Sequence, residues 1–150
     1  NNAVKTRSNQ GSYMFTDTGF YETNIKTLFV DAIFKYKGLS FMGEYVDRTA
    51  SDAIAKNSDG TLTGAVVQVG KAYNVQTGYL FKNNYEIATR YTQINLDKAI
   101  TGKNLQKQVT IGLSKYIVGH KLKVQSDLSY LGVENGKDEV MFRLQMDLHF

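Results

Sequence analysis

The chain has 150 residues, enough for one domain with a sizeable core, and a formal net charge of +4 at pH 7. It contains no Cys, Pro or Trp and only 2 His. That excludes a disulfide framework, a zinc–thiolate centre and a cysteine nucleophile, and argues against a cofactor-rich enzyme. The 18 basic residues are interspersed with 14 acidic ones without a like-charged run, so nucleic acid is not an expected partner. No apolar stretch is long enough for a spanning helix, and the polar residues 1–10 do not read as a signal peptide. Strands that cross a bilayer alternate lipid-facing and lumen-facing residues, so a mean hydropathy of -0.33 is compatible with a membrane.

In chain order, residues 1–26 show no apolar face: Val4, Thr6, Ser8 and Gln10 do not make one, and Thr16-Asp17-Thr18-Gly19 reads as a turn. They are expected to be mostly external loop, with a partial strand from Tyr21 to Thr27. A period of two then takes over, the signature of strands with one apolar face. Val30, Ala32, Phe34 and Tyr36 oppose Asp31, Ile33 and Lys35. Leu39, Phe41, Gly43 and Tyr45 oppose Ser40, Met42, Glu44 and Arg48. Tyr73, Val75, Thr77, Tyr79 and Phe81 oppose Ala72, Asn74, Gln76, Gly78 and the apolar exception Leu80. Tyr85, Ile87, Thr89 and Tyr91 oppose Glu86, Ala88, Arg90 and Thr92, while Val109, Ile111 and Leu113 alternate with Gln108, Thr110, Gly112 and Ser114. Leu122, Val124, Ser126, Leu128 and Tyr130 alternate with Lys121, Lys123, Gln125, Asp127 and Ser129. Val140, Phe142, Leu144, Met146, Leu148 and Phe150 alternate with Met141, Arg143, Gln145, Asp147 and His149. The predicted strands are 28–36, 39–48, 72–82, 85–94, 107–116, 121–131 and 139–150.

Their connections differ by end. Lys37-Gly38, Asn83-Asn84 and 117–120 are tight, with Gly or Asn supplying hairpin geometry. Residues 49–71, 95–106 and 132–138 are long and polar. Short turns at one end and long loops at the other are the asymmetry of outer-membrane barrels. A soluble sandwich also alternates, but these strands are Pro-free and of bilayer-crossing length. Their apolar-face aromatics also sort to two levels: Tyr36, Phe41, Phe81, Tyr85 and Phe150 toward the short turns, and Tyr45, Tyr73, Tyr91, Tyr130 and Phe142 toward the long loops. Two aromatic girdles flanking an apolar band predict that pattern. The polar faces carry ions, the reverse of a lipocalin-type barrel with its apolar interior. The expected fold is all-β, an antiparallel transmembrane β-barrel segment of about seven strands spanning the whole chain as a single unit.

The ending Phe142-x-Leu144-x-Met146-x-Leu148-x-Phe150 resembles the C-terminal strand by which bacterial outer-membrane barrels are recognised for assembly. Several segments resemble the C-terminal part of the phosphate-selective porin O and P family. They are Phe15-Thr16-Asp17-Thr18-Gly19, Lys35-Tyr36-Lys37-Gly38-Leu39-Ser40-Phe41-Met42-Gly43-Glu44-Tyr45, Val75-Gln76-Thr77-Gly78-Tyr79-Leu80-Phe81 and Tyr85-Glu86-Ile87-Ala88-Thr89-Arg90-Tyr91. That resemblance implies a trimeric, roughly 16-stranded diffusion channel in the bacterial outer membrane, with a basic lumen attracting phosphate-like anions. It also implies that this chain is the C-terminal part of such a barrel. Partners would be the outer-membrane bilayer, the barrel-assembly machinery through the Phe150 strand, two further copies in a homotrimer, and small anions.

In a pore, selectivity comes from charged side chains on the wall. By parity the wall would show Lys35, Arg48, Arg90, Lys115, Lys121, Lys123 and Arg143 against Asp31, Glu44, Glu86, Asp127 and Asp147, a slight basic excess. Arg90 and Arg143 are the best candidates for an anion contact, because a guanidinium offers paired donors to a phosphate edge. Arg48, Lys123, Lys121 and Lys35 are further pore-lining candidates. The plainer reading is that all of these pair across strands and keep the lumen wet. Asp147 and His149 share a face, most simply as a hydrogen-bonded pair, and His120 falls in a turn. Gly64, Gly70 and Gly78 match no phosphate-cradle motif, and Gly43, Gly78 and Gly112 read as bends or relief of crowding. No catalytic residue, metal site or cofactor is expected, and the chain is not read as an enzyme. The expected function is passive diffusion of small hydrophilic solutes through an outer-membrane porin, with a phosphate or anion preference. A complete eight-stranded barrel with a structural or surface-interaction role is the alternative, and a soluble β-protein the third reading.

Overall fold

A computed structural model describes residues 22–118 and 121–149. The dominant feature is one antiparallel sheet ordered β1-β2-β5-β6-β7-β8-β9. Its members are β1 (Ile25–Tyr36), β2 (Leu39–Ala50), β5 (Gly70–Leu80), β6 (Tyr85–Leu96), β7 (Gln106–Val118), β8 (Leu122–Val133) and β9 (Glu139–Leu148). Apart from one hairpin inserted between β2 and β5, consecutive strands are neighbours. β3 (Ile54–Lys56) and β4 (Leu62–Val66) form that hairpin, a separate two-stranded sheet. Among the described residues β1 and β9 are the outer strands of the larger sheet and do not pair with each other.

Every predicted strand is present, several of them longer than their alternation shows. β1 starts at Ile25, so the partial strand expected from Tyr21 to Thr27 is continuous with β1 at Ile25–Thr27. Residues 49–71, expected as loop, contain the β3–β4 hairpin, organised at its tip by Asn57 and Asp59. The Asn57 side-chain amide donates to the Thr61 hydroxyl at 2.9 Å, and Asp59 accepts from the Thr61 amide at 2.9 Å. The connection 97–105 holds a single helical turn, α1 (Lys98–Thr101), capped by the Asp97 carboxylate, which accepts from the amides of Ala99 and Ile100. β8 continues to Val133, which shortens the last long connection to 134–138. The tyrosine and turn residues placed in 1–21, together with His120 and Phe150, lie outside the described residues.

The ladder registers carry one parity across the whole sheet. Ala32, Gly43, Val75, Tyr91, Val109, Tyr130 and Val140 stand in one cross-strand row. Phe34, Phe41, Thr77, Thr89, Ile111, Leu128 and Phe142 stand in the next. Between these rows, on the opposite face, run Ile33, Met42, Gln76, Arg90, Thr110, Ser129 and Met141. The pleat therefore separates an apolar face from a mainly polar one. No described element packs on either face of the seven-stranded sheet. The buried apolar side chains among the described residues are Ala53, Ala55 and Val69, all in the connection between β2 and β5. This sheet has no hydrophobic core of its own.

The three short connections lie at one end of the sheet and the three longer ones at the other, as the alternation predicts. At the short end Lys37 and Gly38 turn β1 into β2 with positive φ at both positions (44° and 90°), the geometry of a tight hairpin. A Cβ on Gly38 would come 2.6 Å from the Leu80 carbonyl oxygen, whereas one on Gly60, also at positive φ, would meet nothing within 4 Å. Gly38→Ala is expected to lower stability by roughly 2–3 kcal/mol and Gly60→Ala by about 1 kcal/mol. Urea-unfolding midpoints of the two variants against the parent check the difference.

Candidate functional site

The two faces of the sheet differ in exposure as well as in chemistry. On β7 and β8, Ile111 and Leu128 of the apolar face are 55% and 53% exposed. Ser129 and Asp127, their neighbours on the polar face, are 2% and 7% exposed. A flat single layer would leave both faces about equally open. The polar face is therefore the inside of a curve, and its side chains screen one another.

Small residues line the floor of the curve. Gly78, Ala88 and Gly112 stand in one cross-strand row that continues to Asp127 and Arg143. Above them opens a cavity of about 250 Å³, lined among others by Gln76, Arg90, Gln125, Asp127, Arg143 and Gln145. The two arginines picked out as anion-contact candidates thus share one concavity. Their states differ. Arg143 donates from Nε to Asp127 Oδ2 at 3.0 Å and from Nη2 to Oδ1 at 3.2 Å, a forked ion pair that uses its donor edge. Arg90, facing Gln76 on one side and Thr110 on the other, has no hydrogen-bond or ion-pair partner among the described residues. Thr110 is occupied elsewhere, its hydroxyl 2.8 Å from that of Ser129.

The remaining candidates are dispersed. Arg48 lies at the long-loop end, where its Nε donates to Thr27 Oγ1 at 3.1 Å. Lys35, opposite Ser40, and Lys121, just before β8, are exposed toward the short-turn end. Lys123 holds its ammonium 5.2 Å from the centroid of the Tyr116 ring, and Tyr116 donates its hydroxyl to Glu86 at 2.6 Å. Lys115 corrects the parity reading. It continues the Val109, Ile111, Leu113 side of β7 and lies on the apolar face, with its ammonium 3.9 Å from the Tyr85 ring centroid. Glu139, on the β9 side shared with Arg143, joins the polar face instead. Cations and carboxylates there balance, with Lys35, Arg48, Arg90, Lys121, Lys123 and Arg143 against Asp31, Glu44, Glu86, Asp127, Glu139 and Asp147.

Asp147 is held by Gln145, whose amide donates to it at 2.7 Å, and not by His149. The backbone amide of His149 closes the sheet end against the Lys121 carbonyl at 2.8 Å. In the polar row next to Arg90 on the long-loop side, Asn74 donates to Glu44 at 2.9 Å and accepts from the Thr92 hydroxyl at 2.9 Å, a polar chain across three strands. The face is least polar at its β1 edge, where Phe29 and Ile33 stand exposed. Among the described residues no group of three His, Asp or Glu side chains could hold a metal ion. The sequence pattern marked the arginines but not the glutamines that complete the cavity. Their signal is positional: once register is known, Gln76 falls opposite Arg90, and Gln125 opposite Gln145.

Asp127 is buried and Arg143 half-exposed, so Arg143→Ala leaves a carboxylate with little access to water. A loss of roughly 1–3 kcal/mol is expected, with Arg143→Lys intermediate because a lysine cannot fork. Arg90→Ala should change stability by less than about 0.5 kcal/mol. Chemical unfolding of the three variants separates the structural arginine from the uncommitted one.

No protein-family model matches the chain, and neither a curated protein nor a solved structure matches it.

Proposed function

We propose that this chain forms part of the wall of a transmembrane β-barrel, with the apolar face against lipid and the curved polar face around a water-filled path for small hydrophilic solutes. One observation carries the reading. Val140, Leu144 and Leu148 are 69%, 69% and 54% exposed, the apolar faces of the other strands are open in the same way, and no described element covers them. Monomeric soluble proteins rarely expose contiguous apolar surface on this scale, whereas an outer-membrane barrel requires it.

The two aromatic levels add a geometric argument. Toward the long loops, the aromatics step from the Tyr45–Tyr73 row to the row of Tyr91 and Tyr130, and then to that of Phe142. Toward the short turns, Phe81, just after β5, and Tyr85 on β6 lie two same-face rows nearer the turns than Phe41 on β2, the same sense of drift, with Tyr36 on β1 one row nearer than Phe41. Both belts thus run oblique to the hydrogen-bond rows. A drift of about four residues over about five strand spacings, at ~3.3 Å and ~4.8 Å each, corresponds to a strand tilt of about 30°. Tilted strands crossing a planar slab produce this drift, and the value lies just below the usual barrel range of about 35–45°.

Because wall charges balance, net lumen charge supplies no anion preference. The reading places any such preference at Arg90, an unpaired guanidinium beside amide donors. The porin-like segments quoted above support testing phosphate as the anion, and the same resemblance is the basis for expecting a trimer in a bacterial outer membrane.

Leu128→Arg tests the lipid-facing assignment. Near the middle of the apolar face it should cost about 2–4 kcal/mol of folding free energy in phospholipid vesicles. If the face were simply solvent-exposed, the same change would be neutral and would improve solubility. Planar-bilayer recordings test the path itself: the protein should give an ohmic conductance that scales with salt, and Arg90→Glu should move the reversal potential in a salt gradient toward cation preference. A folded, inserted protein that conducts nothing overturns the channel and leaves a closed small barrel.

A further inference from the structure

The apolar face ends differently at its two rims. At the long-loop end carboxylates stand among the lysines: Lys71 lies 3.6 Å from Asp47 and Lys98 lies 4.0 Å from Glu134, while Lys26 and Lys107 have no acidic partner among the described residues. At the short-turn end no such pair occurs among the described residues. Lys37, Lys82 and Lys115 sit there beside the belt aromatics, and among the described residues neither the turns nor the apolar face at this end carries a carboxylate. Glu86 and Asp147, the acidic residues nearest this rim, point to the polar face and are hydrogen-bonded by Tyr116 and Gln145.

The rim is also built. Leu80 donates its amide to the Gly38 carbonyl at 2.8 Å, and Tyr116 donates its amide to the Asn84 carbonyl at 2.9 Å, so neighbouring turns are laced at one level. Lys115 Nζ donates to the Asn83 carbonyl at 2.8 Å and lies over the Tyr85 ring. The Lys37 ammonium is 5.2 Å from the Tyr36 ring centroid. An ammonium resting on a belt tyrosine is held at headgroup height rather than in hydrocarbon. One hydrogen bond to Asn83 leaves Lys115 two further N–H groups for an anion.

We propose that this rim docks the phosphodiester headgroups of anionic phospholipids through Lys37, Lys82 and Lys115. The inference rests on the membrane reading above. A phosphate diester at the end of an acyl glycerol fits the arrangement, because its charge meets the lysines while its chains continue along the apolar face below.

Native mass spectrometry of the full chain folded in a neutral detergent tests it, with phosphatidylglycerol and phosphatidylcholine of identical acyl chains offered in equal amounts. The parent protein should retain phosphatidylglycerol with a roughly tenfold preference. The triple variant Lys37→Gln, Lys82→Gln, Lys115→Gln should lose that preference, and the corresponding triple Arg variant should keep it, which separates charge from folding. Equal retention of both lipids by the parent, or a preference that survives in the Gln variant, overturns the proposal. So does displacement of the lipid by inorganic phosphate at matched concentration, which would mark a free-anion site. Insertion into phosphatidylcholine vesicles is read in parallel. A chain that inserts without headgroup preference defeats the docking site alone, and one that does not insert defeats the membrane reading with it.

Discussion

A single layer of strands cannot hide its own side chains. Backbone amides and carbonyls satisfy one another along the ladders from β1 to β9, but the pleat sends half the side chains to each face, and among the described residues neither face of this sheet meets another layer. In a sandwich the second sheet removes the apolar half from water, and here no described element does so. Much else in the molecule follows from that condition: the apolar rows need a cover that the described residues do not supply, and the polar rows need either water or one another.

The polar rows take both solutions. Near the centre of the curve, crowding is relieved by Gly78, Ala88 and Gly112, and the side chains that remain interlock through Arg143 with Asp127 and Thr110 with Ser129. Such cross-strand pairs stabilise a polar face that has no hydrophobic core beneath it, because each buried donor meets an acceptor. Chemistry is left over only where a polar group lacks such a partner, which is why Arg90 and the neighbouring glutamines stand out from a face whose formal charges cancel.

Much of this could be read in the amino-acid order because alternation is a local signal that survives without tertiary context. Strand positions, the apolar parity and the end-to-end difference in connections all followed from it. What escaped had other causes. β3 and β4 span three and five residues, too few to show a period, and α1 is made by the Asp97 cap rather than by an amphipathic face. The charge of Lys115 reads as polar-face, although the Val109, Ile111, Leu113 parity puts it on the apolar face. A lysine can end an apolar strand by laying its stem along the surface and its ammonium on a tyrosine. The pairing of Arg143 with Asp127 depends on how β8 and β9 align, which is set by the connection 134–138 and by no pattern within either strand.

The obliquity of the aromatic belts ties these observations together. If the belts only filled gaps between strands, they would follow the cross-strand rows, where side chains touch directly. Tyr73 and Tyr91 come within 6.0 Å between ring centroids although they occupy different rows, and Tyr79 and Phe81 meet edge to face at 4.9 Å along one strand. The rings therefore keep a level that the ladder does not define. A level set from outside the ladder, and matched by the lysines at the short-turn rim, is the arrangement that the proposed lipid-facing reading requires of tilted strands.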